Sequence, residues 1–237
     1  MDVRVLAARG GRGRLALLWS TAATALLLAA GVMPAGAAEV NLTTFRNNTG
    51  IVQTPLSNAN FDGGGWSYSS VALRVAGLDP GEVITTGGHS YTWPNTADGA
   101  KDNVAAGNQT IPVTPPAGAT KVGFLGVSTN GPVTAVFKFN YTYVDAVTGE
   151  TKSVSVPTTL TFSDWTLNAG MQAAHASNTI VVTSAFRMTA DNLQPERVNT
   201  HVFALSTPLD ATKTLKSITL PPLTGSGQVH LFGMSIV

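Results

Sequence analysis

A carboxylate four residues ahead of a tryptophan, across three glycines, is the densest chemistry in this chain: Asp62-Gly63-Gly64-Gly65-Trp66, followed by Ser67-Tyr68. Glycine reaches backbone conformations closed to other residues, so the run is either a site or a sharp corner. Two more tryptophans have polar or turn-forming neighbours: Trp93 alternates with Tyr91 and precedes Pro94-Asn95, and Trp165 follows Ser163-Asp164. A sugar ring offers an apolar C–H face and a rim of hydroxyls, so its site wants a flat aromatic beside carboxylate or amide groups. On that chemistry the candidate ligand contacts are Asp62, Trp66, Tyr68, Trp93, Asp164 and Trp165. The competing role for each tryptophan is the core. Strand alternation favours that role for Trp93, whereas Trp66 and Trp165 lie in or beside loops.

Signatures of catalysis are thin. Gly65-Trp66-Ser67-Tyr68-Ser69 has serine where a nucleophile elbow needs its second glycine. His89, His175, His201 and His230 show no i,i+4 zinc spacing. A glycosidase needs two carboxylates facing each other across a cleft, for which Asp62, Asp98, Asp102 and Asp164 are the candidates. Turn aspartates are common for local hydrogen-bonding reasons alone, so the chain is expected not to be an enzyme. A small glycoside hydrolase is the lesser alternative. No spacing matches an EF-hand, but Asn60 with Asp62, and Asp98 with Asp102-Asn103, offer oxygens to a structural calcium ion.

The elements that must position these residues read as strands. From Val133 to Val144, Val133, Ala135, Phe137, Phe139, Tyr141 and Tyr143 fall on one face, with Thr134, Lys138, Asn140 and Thr142 on the other. A turn at 145–149 returns the chain through 152–162, where Pro157 predicts a bulge or a sheet edge. Similar runs occupy 40–45, 82–86, 90–93, 109–113, 121–128, 178–186, 200–206, 215–220 and 228–237, separated by Gly/Pro turns. One short helix is expected over 69–76, capped by Ser69 or Ser70 and closed by Gly77. Residues 166–177 and 188–199 read as long loops. The pattern predicts an all-β fold, a jelly-roll-like β-sandwich with one short helix.

Arg4, Arg9, Arg12 and Arg14 precede an apolar run over 15–32 and an A-x-A site ending at Ala37. Residues 1–37 are thus expected to be a secretory signal peptide, with 38–237 a single secreted, extracellular β-sandwich domain off the membrane once the signal is cleaved. Removing that segment takes four arginines and Asp2 and turns the formal net charge from +1 to −2. No basic cluster remains to track phosphates, which argues against nucleic-acid binding. The chain has no cysteine, so its fold rests on its core rather than on disulfides.

Several segments occur together in order: Asn60-Phe61-Asp62-Gly63-Gly64-Gly65-Trp66-Ser67-Tyr68-Ser69, Ala76-Gly77-Leu78-Asp79-Pro80-Gly81, Tyr91-Thr92-Trp93-Pro94, Asp102-Asn103-Val104, Phe124-Leu125-Gly126, Ser163-Asp164-Trp165 and Leu220-Pro221. As a set, spanning most of 41–237, they resemble the accessory, carbohydrate-binding-module-like β-sandwich domain of secreted bacterial glycoside hydrolases such as α-mannosidases. The resemblance implies a jelly-roll module that supports or targets a sugar-active enzyme. The expected function is a non-catalytic module that contacts a polysaccharide or glycan through an aromatic and carboxylate patch. The alternative is an extracellular structural or interaction β-sandwich with a protein partner, suggested by a low charged fraction and neutral Thr/Val faces.

Overall fold

The computed structural model describes residues 36–53, 58–191, 193–223 and 225–237. The expected signal peptide, up to residue 35, lies outside the described residues.

In chain order the elements are β1 (Ala38–Glu39), β2 (Ile51–Val52), β3 (Ser67–Ser69), α1 (Ser70–Val75), β4 (Val83–Thr86), β5 (His89–Thr92), β6 (Val104–Ala105), β7 (Thr110–Pro112) and β8 (Lys121–Thr129). They continue with β9 (Val133–Val144), β10 (Thr151–Phe162), β11 (Thr179–Ser184), β12 (Arg187–Met188), β13 (Pro195–Glu196), β14 (Thr200–Pro208), β15 (Thr214–Thr219) and β16 (Gln228–Ile236). The central sheet runs β1-β16-β8-β14-β11, with β6 also on β16, and a second sheet runs β10-β9-β15-β7. Between them lies a core that includes Phe124, Phe137, Phe139, Phe162, Leu231 and Met234. The chain is a β-sandwich, as its alternation implies.

The β9/β10 ribbon pairs without a break from Thr151↔Val144 to Phe162↔Val133. Pro157 therefore marks an edge and not a bulge, since β10 ends its sheet and a missing N–H there breaks no ladder. The expected strand at 40–45 is replaced by β1 and a 3-10 turn at Thr43–Phe45. The Asn41 side chain accepts from the Thr43 N–H (2.9 Å), a local bond that competes with strand pairing.

β8 and β16 are buried along almost their whole length. A strand covered on one face alternates, whereas one covered on both reads as a continuous apolar run. The second face of the central sheet carries a second core, in which Leu125, Val127, Phe203 and Phe232 meet Phe61, Tyr68, Leu73, Tyr91, Trp93 and Trp165. That cover is a third layer: the small sheet β13-β12-β3-β2, the β4/β5 hairpin, and α1. Helix α1 is capped as its sequence suggests, with the Ser69 hydroxyl accepting from the Ala72 N–H (3.3 Å) and Gly77 at φ +88° closing the C-terminus. Ala72 and Leu73 face inward, while Val71 and Val75 stay in solvent. Among the described residues no helix is long and apolar enough to cross a membrane.

Candidate ligand-binding site

The glycine run closes into a tight loop between Phe61, whose N–H donates to the Trp66 carbonyl (2.8 Å), and β3. Asp62 Oδ1 accepts from the Gly64 and Trp66 N–H groups (2.8 and 3.1 Å), and Asn60 Oδ1 accepts from Gly65 (2.8 Å). Gly63 (φ +80°) and Gly65 (φ +99°) supply the left-handed positions that such a turn demands. Gly64 has a different role: a Cβ there would lie 2.9 Å from Trp66 Cζ3, so the bare backbone seats the indole. Below the loop, Phe61, Tyr68 and Trp165 pack edge to face with ring centroids 4.9 to 5.1 Å apart. Such aromatic contacts make a rigid base for the loop.

Trp66 stays partly exposed. Its Nε1–H donates to Glu196 Oε2 (2.9 Å), and the Arg187 Nε–H donates to the same oxygen (2.7 Å). The Arg187 guanidinium carbon sits 4.9 Å from the centre of the Trp66 ring and 5.8 Å from that of Trp165, within cation–π range. The hydrogen bond from Arg187, ahead of the opposing effect of burial, holds the Glu196 carboxyl below its ordinary range. The site thus consists of one indole held in place by a carboxylate and a guanidinium, with the Asp62 carboxylate in the same loop. Arg187 and Glu196 escaped the sequence reading because their pairing is a register partnership between β12 and β13.

Four of the six sequence candidates are relocated. Tyr68 is 0% exposed, Trp93 2% and Trp165 2%, which places them among the core side chains of the second layer interface, the competing role that the sequence also offered for the tryptophans. Tyr68 donates its hydroxyl proton to the His201 carbonyl (2.6 Å). Trp93 adds its covered ring to the wall of a cavity of about 350 Å³ beside Glu39, Arg46 and Thr92, where Glu39 already accepts from the Thr92 N–H and hydroxyl. Asp164, 4% exposed, is an internal fastener: Oδ1 accepts from Thr166 N–H, Thr166 Oγ1–H and Asn168 N–H, and Oδ2 accepts from Gly131 N–H. The third layer is what buries the three aromatics. Asp62 and Trp66 are the two that remain at the surface together.

Several of the oxygens considered for calcium accept hydrogen bonds from the chain itself, among them Asp98 Oδ1, which accepts from the Gln53 N–H. Asn60 and Asp62 cap their own loop, and Asp102 is buried, accepting from Gly50 N–H, Ile51 N–H and the Asn103 amide. Burial pushes Asp102 up to about 6. Asn103 Nδ2–H also donates to Asn48 Oδ1, which fixes the amide so that its own Oδ1 accepts from His230 Nδ1–H (2.8 Å). Burial pushes His230 down to about 3, so this buried histidine is neutral. Among the described residues no group of three His, Asp or Glu side chains is arranged to hold a metal ion.

Fold and loop together define a β-sandwich domain that presents a rigid aromatic and charged patch from a glycine turn. The chain belongs to the AziU2-like beta-sandwich domain family, whose model matches residues 37–237. No curated protein matches it.

Proposed function

We propose that the chain is a secreted, non-catalytic carbohydrate-binding-like module that contacts a polysaccharide or glycan through Trp66, Asp62, Arg187 and Glu196. The observation that carries this is the partly exposed Trp66 indole, immobilised by Glu196 and Arg187 beside a loop carboxylate. A pre-ordered aromatic loses little conformational entropy on stacking against a sugar face, and the flanking charged groups offer hydrogen bonds to hydroxyls. A single platform of this size fits weak binding. Two of the carboxylates that a hydrolase would need, Asp102 and Asp164, are buried acceptors of backbone N–H groups, which supports a binding role over a catalytic one.

The test is retention on insoluble plant, fungal and bacterial polysaccharides, followed by calorimetry with the soluble fragment that binds best. Trp66→Ala, with its fold checked by circular dichroism, is expected to weaken binding at least about tenfold, a loss of about 1.4 kcal/mol. Retention on no polysaccharide, or unchanged affinity in a folded Trp66→Ala protein, overturns the proposal.

The second reading is an extracellular structural or interaction domain, favoured by the outer face of the β10-β9-β15-β7 sheet. There Thr134 meets Thr161, Thr110 meets Thr219, and Asn140 bonds Ser217, giving a hydroxyl- and amide-rich surface, with Lys138 exposed among them, suited to a protein partner. Binding of one purified partner that excess sugar leaves intact, and that Asn140→Arg abolishes, selects this reading.

A further inference from the structure

The segment that follows β1 arches over one end of the central sheet. The Val40 N–H donates to the Met234 carbonyl (2.8 Å), so the arch leaves from the sheet edge. The Arg46 N–H donates to the Leu42 carbonyl (3.2 Å), so it closes on Arg46, just past the 3-10 turn. Leu42 plugs the first core, whereas Trp93 and Phe232 belong to the second. The arch therefore spans the seam between the two cores, and the cavity of about 350 Å³ lies against it. That volume falls within the roughly 300–1,000 Å³ of small-molecule sites.

Two charged side chains line this cavity among the described residues, Glu39 and Arg46, and they do not pair with each other. Both Glu39 oxygens are held by Thr92: Oε1 accepts from its N–H and Oε2 from its hydroxyl (2.7 Å each). Arg46 enters no ion pair among the described residues, and its Nε is buried without a hydrogen-bond partner. Its two terminal nitrogens are not sealed in the same way, so the outer fork of the guanidinium keeps open surface. Burial draws the guanidinium below its ordinary range, and the charges of Asp102 and Glu39 draw it back. Glu39 thus acts on Arg46 from the same cavity without touching it. A half-buried guanidinium gains from a carboxylate partner, because burial strips its hydration and an unpaired charge recovers nothing in exchange. Here the carboxylate is present and held back by Thr92.

We propose that this cavity binds a small zwitterion of the amino-acid class, its carboxylate on the Arg46 guanidinium and its ammonium on the Glu39 carboxylate. A planar guanidinium matches a carboxylate through two parallel N–H···O bonds. Each Glu39 oxygen keeps a lone pair after Thr92 is served, which an ammonium can use. A plain anion would face the Glu39 charge and a plain cation the Arg46 charge, so a ligand with one charge meets repulsion that a zwitterion converts into attraction. Val40, with the margins of Leu42, Trp93 and Phe232, offers apolar wall to a side chain such as that of leucine. The cavity shares no lining residue with the Trp66 loop, so the two readings stand or fall separately.

The test titrates the ¹⁵N-labelled full chain with L-leucine and follows the backbone amides of Thr92 and Asn95, the first of which reports the bond to Glu39. A ligand the size of leucine fits a Kd on the order of 1 mM, so the titrations run to about 50 mM. The expected result is a saturable shift of both amides. N-acetyl-leucine, which keeps only the negative charge, and leucinamide, which keeps only the positive one, should each bind at least about tenfold more weakly. Arg46→Met, its fold checked by circular dichroism, is expected to weaken leucine by at least about tenfold as well. Glu39→Gln keeps an oxygen for Thr92 and removes the charge, so it should reverse the preference and bind N-acetyl-leucine more tightly than leucine. The absence of a saturable shift with leucine overturns the site. Equal affinity for leucine and either singly charged analogue does so too, as does leucine binding unchanged in Arg46→Met or a preference unchanged in Glu39→Gln.

Discussion

Gly64 differs from its two glycine neighbours in the reason it must be glycine. Gly63 and Gly65 hold positive φ, whereas Gly64 leaves room for the six-membered edge of Trp66. Alanine at 64 therefore acts on the indole and not on the backbone conformation. A methyl 2.9 Å from Cζ3 forces the ring outward, away from Glu196 and Arg187. Gly64→Ala is expected to cost no more than about 1 kcal/mol of stability, typical of a surface substitution that disturbs one charge-assisted contact. It should also red-shift the tryptophan emission and increase acrylamide quenching. Since Trp93 and Trp165 are core residues untouched by the change, the difference between parent and variant reports Trp66. An unaltered emission spectrum would mean that the indole is not seated on Gly64.

At the scale of elements, the loop after Trp165 takes an unusual path. Leu167, Asn168 and Ala169 all hold left-handed conformations (φ 50°, 52° and 54°), and Gly170 follows at φ +83°. Each non-glycine residue held there costs about 1–2 kcal/mol. What sustains the turn is Asp164, which gathers the Thr166 and Asn168 N–H groups, together with the burial of Leu167 in the second core. Ala169 is exposed, so Ala169→Gly relieves the strain without loss of packing. After the greater entropy of glycine in the unfolded chain is subtracted, a net gain of about 0.5–1 kcal/mol in urea unfolding is expected. A loss would show that the turn is not strained at this residue. This loop also marks how far the sequence could be read. Strands β9 and β10 were legible from alternation, β8, β14 and β16 from apolar runs bounded by turn residues, and the caps of α1 from a local hydrogen bond. The small sheet of the third layer was not, since β2, β3, β12 and β13 are two or three residues long and carry no period. The burial of Tyr68, Trp93 and Trp165 follows from that layer, and so does the partnership of Arg187 with Glu196. Trp66 and Asp62 were recoverable because the glycine turn that exposes them is contiguous in sequence.

For the whole molecule, strands β8 and β16 at the middle of the central sheet have almost no solvent face, so a polar side chain there that pairs must pair inside. The His230–Asn103–Asp102 chain does this beneath Phe61, whose ring centroid is 4.4 Å from that of His230, and joins β16 to the segment around Gly50. Its two ends respond to acid with opposite signs. His230 titrates at about 3 in the folded chain against an ordinary 6.5, so its contribution is complete above pH 6.5 and drains away as the pH falls toward 3. Asp102 titrates at about 6 against an ordinary 3.8, so its contribution is present below pH 3.8 and lost as the pH rises through 6. At ~1.4 kcal/mol per pH unit the two amount to on the order of 5 and 3 kcal/mol. His89 and His201 are lowered as well and act in the same direction as His230. The balance favours the histidines, and unfolding free energy is expected to decline from pH 7 to pH 4. Asp102→Asn keeps an oxygen for the Gly50 and Ile51 N–H groups but removes the opposing titration, so its decline should be steeper than the parent's. His230→Gln keeps a donor for Asn103 and should flatten the decline. Urea titrations of the three proteins across that range decide the matter: parallel slopes would mean that neither buried group changes its protonation on unfolding.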